Sequence, residues 1–328
     1  MIYQKVIGGH RDGYASTFAA MTGLKIYRKS NLIQDLKAMI YPKVLFTACI
    51  EDGVVSFFVI SLLRSFLQKK TIGLMMSPWD CFRPNKVKDI FRRFAFLTLK
   101  GLSQVKIICI VPFDVDPRYK RVADYWIYDP EFWDMHVLEE RRMATQVVSS
   151  TAKNITTGKI NLLYLGRANS EKGFDFLAKL FLDNEDLFLK FHLSVVGEVS
   201  ESSALAATRL RKAGAHVVDE FVSDESMFEF IRQASLLWCC YSPRYDASSG
   251  IFGRAIQFNK LPLIRKSSRL VDLAATLGKD VVTIEFGNLD DALLSLKAID
   301  HKLPSLNKEI DTYALYSHAN QVFERCMS

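Results

Sequence analysis

A chain of 328 residues is long for one hydrophobic core, and its length favours two domains of about 150 residues each. Hydrophobic residues make up 49% of it and charged residues 24%, which is typical of an ordinary soluble globular protein. Residues 1–155 hold 23 lysines and arginines against 14 aspartates and glutamates, a formal charge of +9 that leaves −2 for the remainder. This basic half is a candidate surface for anionic lipid headgroups or a phosphorylated acceptor, and no nucleic-acid motif accompanies the charge.

Short apolar runs in the first half alternate with helix-length amphipathic segments, the pattern of a parallel sheet covered by helices. The run Val54–Leu63 is too short to cross a bilayer and is predicted to form a buried helix. Lys86–Leu102 mixes cations with apolar residues at helical spacing, which fits a helix lying on a membrane or an ordinary surface helix with one buried face. The predicted strands are Lys5–Gly9, Lys43–Ala48, Thr71–Met76, Lys106–Val111 and Asp124–Tyr128.

A polar, Ser/Thr-rich stretch at residues 146–158 is predicted to link the two domains, 1–150 and 151–328. A second alternating series follows it, so we expect an α/β protein with two Rossmann-like doubly wound domains. The last helix, at about residues 306–328, is predicted to pack back on the first domain. The strands of the second series are Ile160–Gly166, Phe191–Gly197, His216–Phe221, Leu236–Tyr241, Leu261–Arg265 and Asp280–Phe286.

Two cations, Arg167 and Lys172, lie between Gly166 and Gly173, where a strand gives way to a helix. The glycines allow close backbone approach, and a helix start with two cations suits a diphosphate. Spacing alone leaves open an exposed helix start with incidental cations.

Further along the second half, Ser248, Ser249, Gly250 and Ile251 stand where another helix should begin. Exposed N–H groups and hydroxyls at such a start would again face an anion, although serine capping without a ligand is the alternative. Ser223 is predicted to cap the helix after the third strand.

These segments together resemble the second half of the GT-B glycosyltransferases, especially the family-4-like retaining group. The resemblance spans about residues 160–265 and is carried, in order, by "GRANSEKGFDFL", "LSVVGE", "VDEFVSDESMFEFIRQASLLWCCYSPRYD" and "SSGIFGRAIQFNKLPLI". It implies that Arg167 and Lys172 bind the donor diphosphate and that backbone around Gly197, Phe221 and Val222 holds the base. It also implies that Ala247–Gly250 forms the sugar-phosphate loop.

The family has two glutamates in this region, one touching the donor sugar and one the ribose, and here Ala247 and Ala255 stand at those positions. Asp246 is adjacent to the first and is predicted to supply a catalytic carboxylate. Arg254 and Gln257 lie near the second. The departure leaves the donor sugar undefined, while the diphosphate site is retained.

In the first half, Gly9 is predicted to face the donor, and His10 at the tip of the first strand is a catalytic candidate with a structural histidine as the alternative. Asp80 follows another predicted strand and is a candidate for acceptor binding or for a general base. Asp114–Asp116 has the Asp-x-Asp form of some metal sites, but Pro117 after it favours a turn. We expect no cofactor and no essential metal, because the nucleotide-sugar is itself a substrate and GT-B enzymes usually work without metal.

The resemblance implies a glycosyltransferase (EC 2.4) of polysaccharide or lipopolysaccharide biosynthesis, with a nucleotide-diphosphate sugar and a glycan or lipid-linked acceptor as partners. We expect it in the cytoplasm, with peripheral contact to an anionic membrane left open and no nucleic-acid partner. A catalytically silent GT-B partner protein and a nucleotide-sugar epimerase are the alternatives.

Overall fold

The computed structural model describes residues 1–8, 10–28, 32–83, 87–138, 158–246, 248–302 and 307–328. The chain forms two compact units, Met1–Leu138 with Tyr313–Ser328 and Glu139–Thr312. Each contains a six-stranded parallel sheet packed with helices, which confirms the predicted α/β class with two Rossmann-like domains. Of the predicted linker, residues 146–157 lie outside the described part.

The first unit is built around a sheet whose central strands are short and apolar. The strands are β1 Ile2–Gln4, β2 Ile26–Arg28, β3 Leu45–Thr47, β4 Thr71–Met75, β5 Val105–Cys109 and β6 Tyr125–Trp126. Their order across the sheet is β2-β1-β3-β4-β5-β6. All five residues of β4 are buried, as expected for a parallel strand with helices on both faces. The helices that follow these strands are α1 His10–Thr22, α2 Leu32–Ile40, α3 Val54–Phe66 and α4 Val87–Lys100.

The second unit repeats this alternation with longer strands. Its strands are β7 Ile160–Leu165, β8 Phe191–Val196, β9 His216–Val218, β10 Leu236–Cys239, β11 Leu261–Arg265 and β12 Val282–Ile284, in the order β12-β11-β10-β7-β8-β9. Each overlaps a predicted strand. Its helices are α5 Phe174–Leu182, α6 Leu187–Lys190, α7 Ala204–Lys212, α8 Asp224–Gln233, α9 Gly250–Gln257, α10 Arg269–Leu277 and α11 Leu289–Ala298.

The C-terminal helix, α12 Thr312–Met327, packs on the first unit, as predicted. The ring of its Phe323 lies 4.8 Å from that of Phe18 and 5.2 Å from that of Phe46, centroid to centroid. One ring nitrogen of His318 lies 3.1 Å from the carbonyl oxygen of Trp126. The helix thus completes the hydrophobic core of a unit to which it is remote in sequence.

The first strand begins earlier than predicted, at Ile2, and ends at Gln4, so residues 5–8 of the predicted strand Lys5–Gly9 lie outside it. β3 pairs with Ile2 and Tyr3, and the chain then leaves the sheet. Asp12 in α1 accepts a hydrogen bond from the backbone N–H of Gly8, which draws the turn toward the helix. The prediction overlooked the short β2, because three residues show no measurable period.

The helix predicted at Val54–Leu63 forms, but only one side of it is buried. Phe57 and Ile60 face the core, whereas Val55 and Phe66 are exposed. No helix in the described part of the chain is long and apolar enough to cross a membrane.

Arg64, also on α3, is a fully buried cation that joins several backbone segments of the first unit. Its guanidinium donates to the hydroxyl of Thr71 and to four backbone carbonyl oxygens, those of Ala38, Tyr41, Lys43 and Lys70. Burial lowers the pKa of Arg64 to about 10. These hydrogen bonds satisfy carbonyls that would otherwise lose their contact with water.

Candidate functional site

The chain reverses its direction across the second sheet between β7 and β10. From β7 the strands progress through β8 to β9 at one edge, and from β10 they progress through β11 to β12 at the other. The loops that leave the carboxyl ends of β7 and β10 therefore diverge and open a crevice. Open α/β sheets bind their ligands at such a switch point.

The loop after β7 runs from Gly166 to Gly173 and carries both predicted cations. The side chain of Asn169 accepts a hydrogen bond of 2.8 Å from the backbone N–H of Lys172, and its carbonyl accepts one of 3.0 Å from Phe174. Gly173 caps α5 with a φ of 73°, and a Cβ there would lie 2.1 Å from the carbonyl oxygen of Cys240. Only glycine fits this contact between the two loops of the crevice.

Lys172 reaches from the β7 loop toward the β10 loop. Its Nζ lies 5.7 Å from the ring centroid of Tyr245, and a Cβ built on Gly166 would be 3.7 Å from the same atom. The side chain of Lys172 is half-buried, whereas Arg167 is exposed. One cation therefore sits in the crevice and the other at its rim.

The loop after β10 leads into the capped start of α9. Ser249 is buried, and its Oγ accepts a hydrogen bond of 3.2 Å from the backbone N–H of Phe252. The hydroxyl of Tyr241 lies 2.7 Å from the same oxygen. Gly250 and Ile251 form the first turn of α9, where helix geometry leaves N–H groups without intrahelical partners. Together with the helix dipole, this arrangement attracts an anion.

The floor of the crevice is formed by two glycines whose backbones touch. Gly197, at the end of β8, has a φ of 131°, and a Cβ on it would lie 2.3 Å from the carbonyl oxygen of Gly166. The N–H of Gly166 donates to the carbonyl of Val196 at 2.9 Å, which extends the β7–β8 pairing to the crevice. A side chain is excluded at Gly197, and the φ of 99° at Gly166 also favours glycine, so main-chain atoms line the floor.

Asp246, predicted to be catalytic, is held by two arginines. Its Oδ1 accepts from Nη2 of Arg265 at 2.9 Å and from the backbone N–H of Arg269 at 3.1 Å. Its Oδ2 accepts from Nη1 of Arg269 at 2.9 Å. Both carboxylate oxygens are thus engaged in fixing the β10 loop to β11 and the start of α10. The neighbouring Ala247 lies outside the described residues, and Ala255 is buried within α9.

The predicted base-binding segment lies after β9, beyond β8 from the crevice. Phe221 is 85% exposed and Val222 is half-buried. Ser223 caps α8 by accepting a hydrogen bond of 3.3 Å from the N–H of Ser226, which confirms the predicted cap. Phe221 makes an apolar projection near the carboxyl edge of the sheet.

In the first unit, the structure describes the predicted site only in part. Gly9 lies outside the described residues, and His10 begins α1 but its side chain also lies outside them. The carboxylate of Asp80 pairs with Arg83 at 2.9 Å and with Arg92 at 2.6 Å. These two ion pairs occupy both of its oxygens, which disfavours a free general base at this position.

The Asp114–Asp116 segment forms a turn, as predicted. Oδ1 of Asp116 accepts a hydrogen bond of 3.0 Å from the N–H of Arg118 and caps the short 3₁₀ helix Pro117–Arg121. Its carboxylate also pairs with the guanidinium of Arg118 at 2.7 Å.

The switch point of the first sheet, between β1 and β3, carries polar residues that were not predicted from the sequence. Arg11 contacts both carboxylate oxygens of Asp52, with its Nε 2.7 Å from Oδ2. Glu51 accepts a hydrogen bond of 2.6 Å from the N–H of Ser77, and burial raises its pKa. The available signal was the acidic pair Glu51–Asp52, three residues after the end of the predicted strand Lys43–Ala48. In the second unit, Tyr241 and Tyr245 were overlooked because their roles depend on contacts between loops.

No known protein-family profile matches the chain, and no curated protein sequence matches it. Solved structures do. Anabaena Alr3699/HepE, solved with UDP, superposes with a TM-score of 0.66 at 8% identity and covers 99% of both chains. A UDP-forming α,α-trehalose-phosphate synthase from Burkholderia xenovorans gives 0.57 at 10% identity, covering 90% of this chain and 76% of its own. WaaG, a glycosyltransferase involved in lipopolysaccharide biosynthesis, gives 0.51 at 12% identity, covering 98% and 99%. The chain therefore has the GT-B fold that these proteins share.

Proposed function

We propose that the protein is a glycosyltransferase that moves a sugar from a nucleoside-diphosphate sugar to a glycan or lipid-linked glycan. The observation that carries this proposal is that Lys172 on the β7 loop approaches Tyr245 on the β10 loop, which leads into the capped start of α9. A cation, a helix N-terminus and a glycine floor suit a diphosphate. Likeness of fold to HepE, solved with UDP, and to WaaG supports this chemistry.

The proposed mechanism rests on stabilising the leaving group. When the bond from sugar to phosphate breaks, the departing diphosphate gains negative charge. Lys172 and Arg167 would offset that charge, and the N–H groups that begin α9 would donate hydrogen bonds to it. Fixed donors of this kind act where charge develops in the transition state, and losing one typically costs about 100-fold to 1,000-fold in rate.

The finer features of the proposal come from the family-4-like resemblance. They are retention of configuration at the sugar, a role in surface polysaccharide or lipopolysaccharide synthesis, and catalysis without an essential metal. Lys172 and Arg167 would supply the positive charge that a metal supplies in other nucleotide-sugar enzymes. We propose that Phe221 and Val222 contact the base.

A catalytically silent nucleotide-sugar binder is the second candidate function. It is favoured by the buried alanine at position 255, where the resembling family has a glutamate. Asp246 is the carboxylate adjacent to the other departure, and two arginines hold it. Turnover of a donor separates the two candidates, because a silent binder would bind the nucleotide-sugar without cleaving it.

The test measures nucleotide binding to the full chain. Uridine, guanosine, adenosine and cytidine diphosphates are titrated calorimetrically against wild type, Lys172→Met and Arg167→Ala. One nucleotide should bind, and each substitution should weaken it by about 10-fold to 150-fold, the equivalent of one charge-assisted hydrogen bond. The matched control is Lys179→Met, because Lys179 lies on α5 and pairs with Asp183 at the surface. It should bind as wild type does.

The same preparations are then incubated with the matching nucleotide-sugars, and release of the nucleotide is followed with and without acceptor extracts. Release by wild type and its loss in Lys172→Met supports the transferase. Binding without release supports the silent binder. No binding of any nucleotide, or equal binding by Lys172→Met and Lys179→Met, contradicts the diphosphate site.

A further inference from the structure

We propose that the outer side of α2, α3 and α4 docks on an anionic lipid bilayer. This apolar face consists of exposed rows on three adjacent helices of the first unit. Its clearest members are Val55, Leu63 and Phe66 on α3 with Val87, Ile90 and Phe94 on α4. It is remote in sequence from the crevice of the second unit, so the proposal stands independently of the proposed function.

The sheet order places the three helices side by side. The connections β2 to β3, β3 to β4 and β4 to β5 all advance across the sheet in one direction. Because such crossovers are right-handed, their helices lie on the same face of the sheet. Consistent with this, α3 packs against both α2 and α4. The outer sides of the three helices therefore form one continuous surface.

Each helix presents an apolar row at helical spacing on this surface. On α3, Val55, Leu63 and Phe66 are separated by eight and three residues, which places them on one side. Phe66 is 82% exposed, and on α4 Val87 is 83% and Phe94 62% exposed. α2 adds an outward row at positions 36 and 40.

The exposure is concentrated in this region. Of the nineteen exposed large apolar side chains in the described part of the chain, twelve lie between residues 36 and 97, on or directly after these helices. Scattered exposed apolar residues are normal in soluble proteins, but a contiguous group marks an interaction surface.

The charge of the same surface selects the partner. Residues 54–70 and 87–100 contain seven lysines and arginines and one acid, Asp89. Arg64 and Arg92 are buried, which leaves five cations that are at least partly exposed: Lys69, Lys70, Lys88, Arg93 and Lys100. On α2, exposed Lys37 is accompanied by Asp35, whose carboxylate accepts a hydrogen bond from the hydroxyl of Tyr3. Asp89 is buried beside Arg92, at 3.7 Å from it. Lys88 and Arg93 lie on opposite flanks of the α4 row, about a quarter to a third of a turn from its centre. An apolar strip flanked by cations is the arrangement of helices that lie in the interface of an anionic membrane.

These charges also disfavour a second copy of the chain as the partner of the apolar face. Two copies of the chain joined through this face would bring like charges together, which opposes association. A bilayer with anionic headgroups accepts both the apolar row and the cations. Each lysine or arginine near such a surface strengthens binding by about fivefold, so partitioning should require anionic lipid and weaken with salt.

The experiment is co-sedimentation of the full chain with vesicles of phosphatidylcholine alone or with about a third phosphatidylglycerol. The variants are Phe66→Ser/Phe94→Ser and Lys88→Ser/Arg93→Ser. The control is Leu205→Ser/Leu294→Ser, which removes apolar side chains that are 73% and 71% exposed in the second unit. Five of the six residues are exposed and Arg93 is partly exposed, so the variants should fold, which thermal unfolding verifies.

Wild type and control should bind the anionic vesicles alike, the aromatic double variant at least about 10-fold more weakly, and the cation double variant about 10-fold to 25-fold more weakly. Failure of wild type to bind anionic vesicles overturns the proposal, as does equal binding by all four proteins. A wild-type dimer in light scattering that the aromatic variant abolishes would assign the face to a second copy and also overturn it.

Discussion

Replacing Gly197 with alanine tests whether the glycine floor of the crevice is required for its shape. The added Cβ would lie 2.3 Å from the carbonyl oxygen of Gly166, and the φ of 131° lies where side chains are strained. Gly214 is the matched control, because its φ is 107° and a Cβ there meets no atom within 4 Å. Both substitutions impose the backbone strain, and only the first adds the clash.

The two costs can be separated in magnitude. Strain at a glycine-only backbone conformation costs about 1–3 kcal/mol, and the free energy of unfolding of both variants should fall by this amount. Forcing an atom into a packed site costs about 1–3 kcal/mol more, because the end of β7 or β8 must shift by about 1 Å. We therefore expect Gly197→Ala to be less stable than Gly214→Ala by about 1–3 kcal/mol.

Urea unfolding measures the stability difference, and calorimetric titration with the nucleotide measures the affinity of the crevice for it. Gly214→Ala should bind the nucleotide as wild type does, whereas Gly197→Ala should bind it at least about 10-fold more weakly, since a misplacement of about 1 Å disrupts several hydrogen bonds at once. If both variants lose equal stability and bind alike, the close approach of the two glycines does not shape a ligand site.

Four further outcomes are expected. Arg64→Met should destabilise the protein by about 3 kcal/mol in urea unfolding, because buried carbonyls lose their donor. Asp246→Asn should lower nucleotide affinity or thermal stability, because it loses the ion pairs with Arg265 and Arg269. Unchanged affinity and stability would contradict a role for these ion pairs in fixing the β10 loop. Burial lowers the pKa of Lys279 to about 8. Between about pH 8 and 10 the unfolded chain binds the proton that the folded chain has lost, so wild type should gain stability relative to Lys279→Met as pH rises. Nucleotide release should persist in excess chelator, and its loss there would contradict catalysis without metal.

Much of the sheet architecture could be predicted because buried parallel strands are continuous apolar runs. Ile160–Leu165 is such a run, and five of its six residues are buried. β2 could not be predicted in this way, since three half-buried or exposed residues carry no pattern. The start of the chain was misplaced because Val6 and Ile7 are apolar but lie outside the sheet, where Asp12 holds the turn.

The candidate site was predictable where its geometry is local. Glycine spacing around Arg167 and Lys172 indicated a strand-to-helix loop, and the loop is present. The approach of Lys172 to Tyr245 joins segments more than 70 residues apart, which no local pattern specifies. The two arginines on Asp246 come from β11 and α10, so its engagement also required the tertiary structure.

The apolar face illustrates the same limit on a larger scale. α3 is apolar on both its inner and outer sides, and its sequence therefore predicted a buried helix. Only the positions of its neighbours, α2 and α4, determine which side is covered. Burial is a property of the packed unit, and the hydrophobicity of one helix does not define it.

The most direct test of the central claim is a crystal structure of the full chain with the nucleoside diphosphate that binds it. We expect phosphate oxygens within hydrogen-bonding distance of Lys172 Nζ and of the N–H groups at Gly250 and Ile251. The nucleoside should extend toward Gly197. A nucleotide bound elsewhere on the chain, or one whose phosphates contact neither Lys172 nor the start of α9, would contradict the claim.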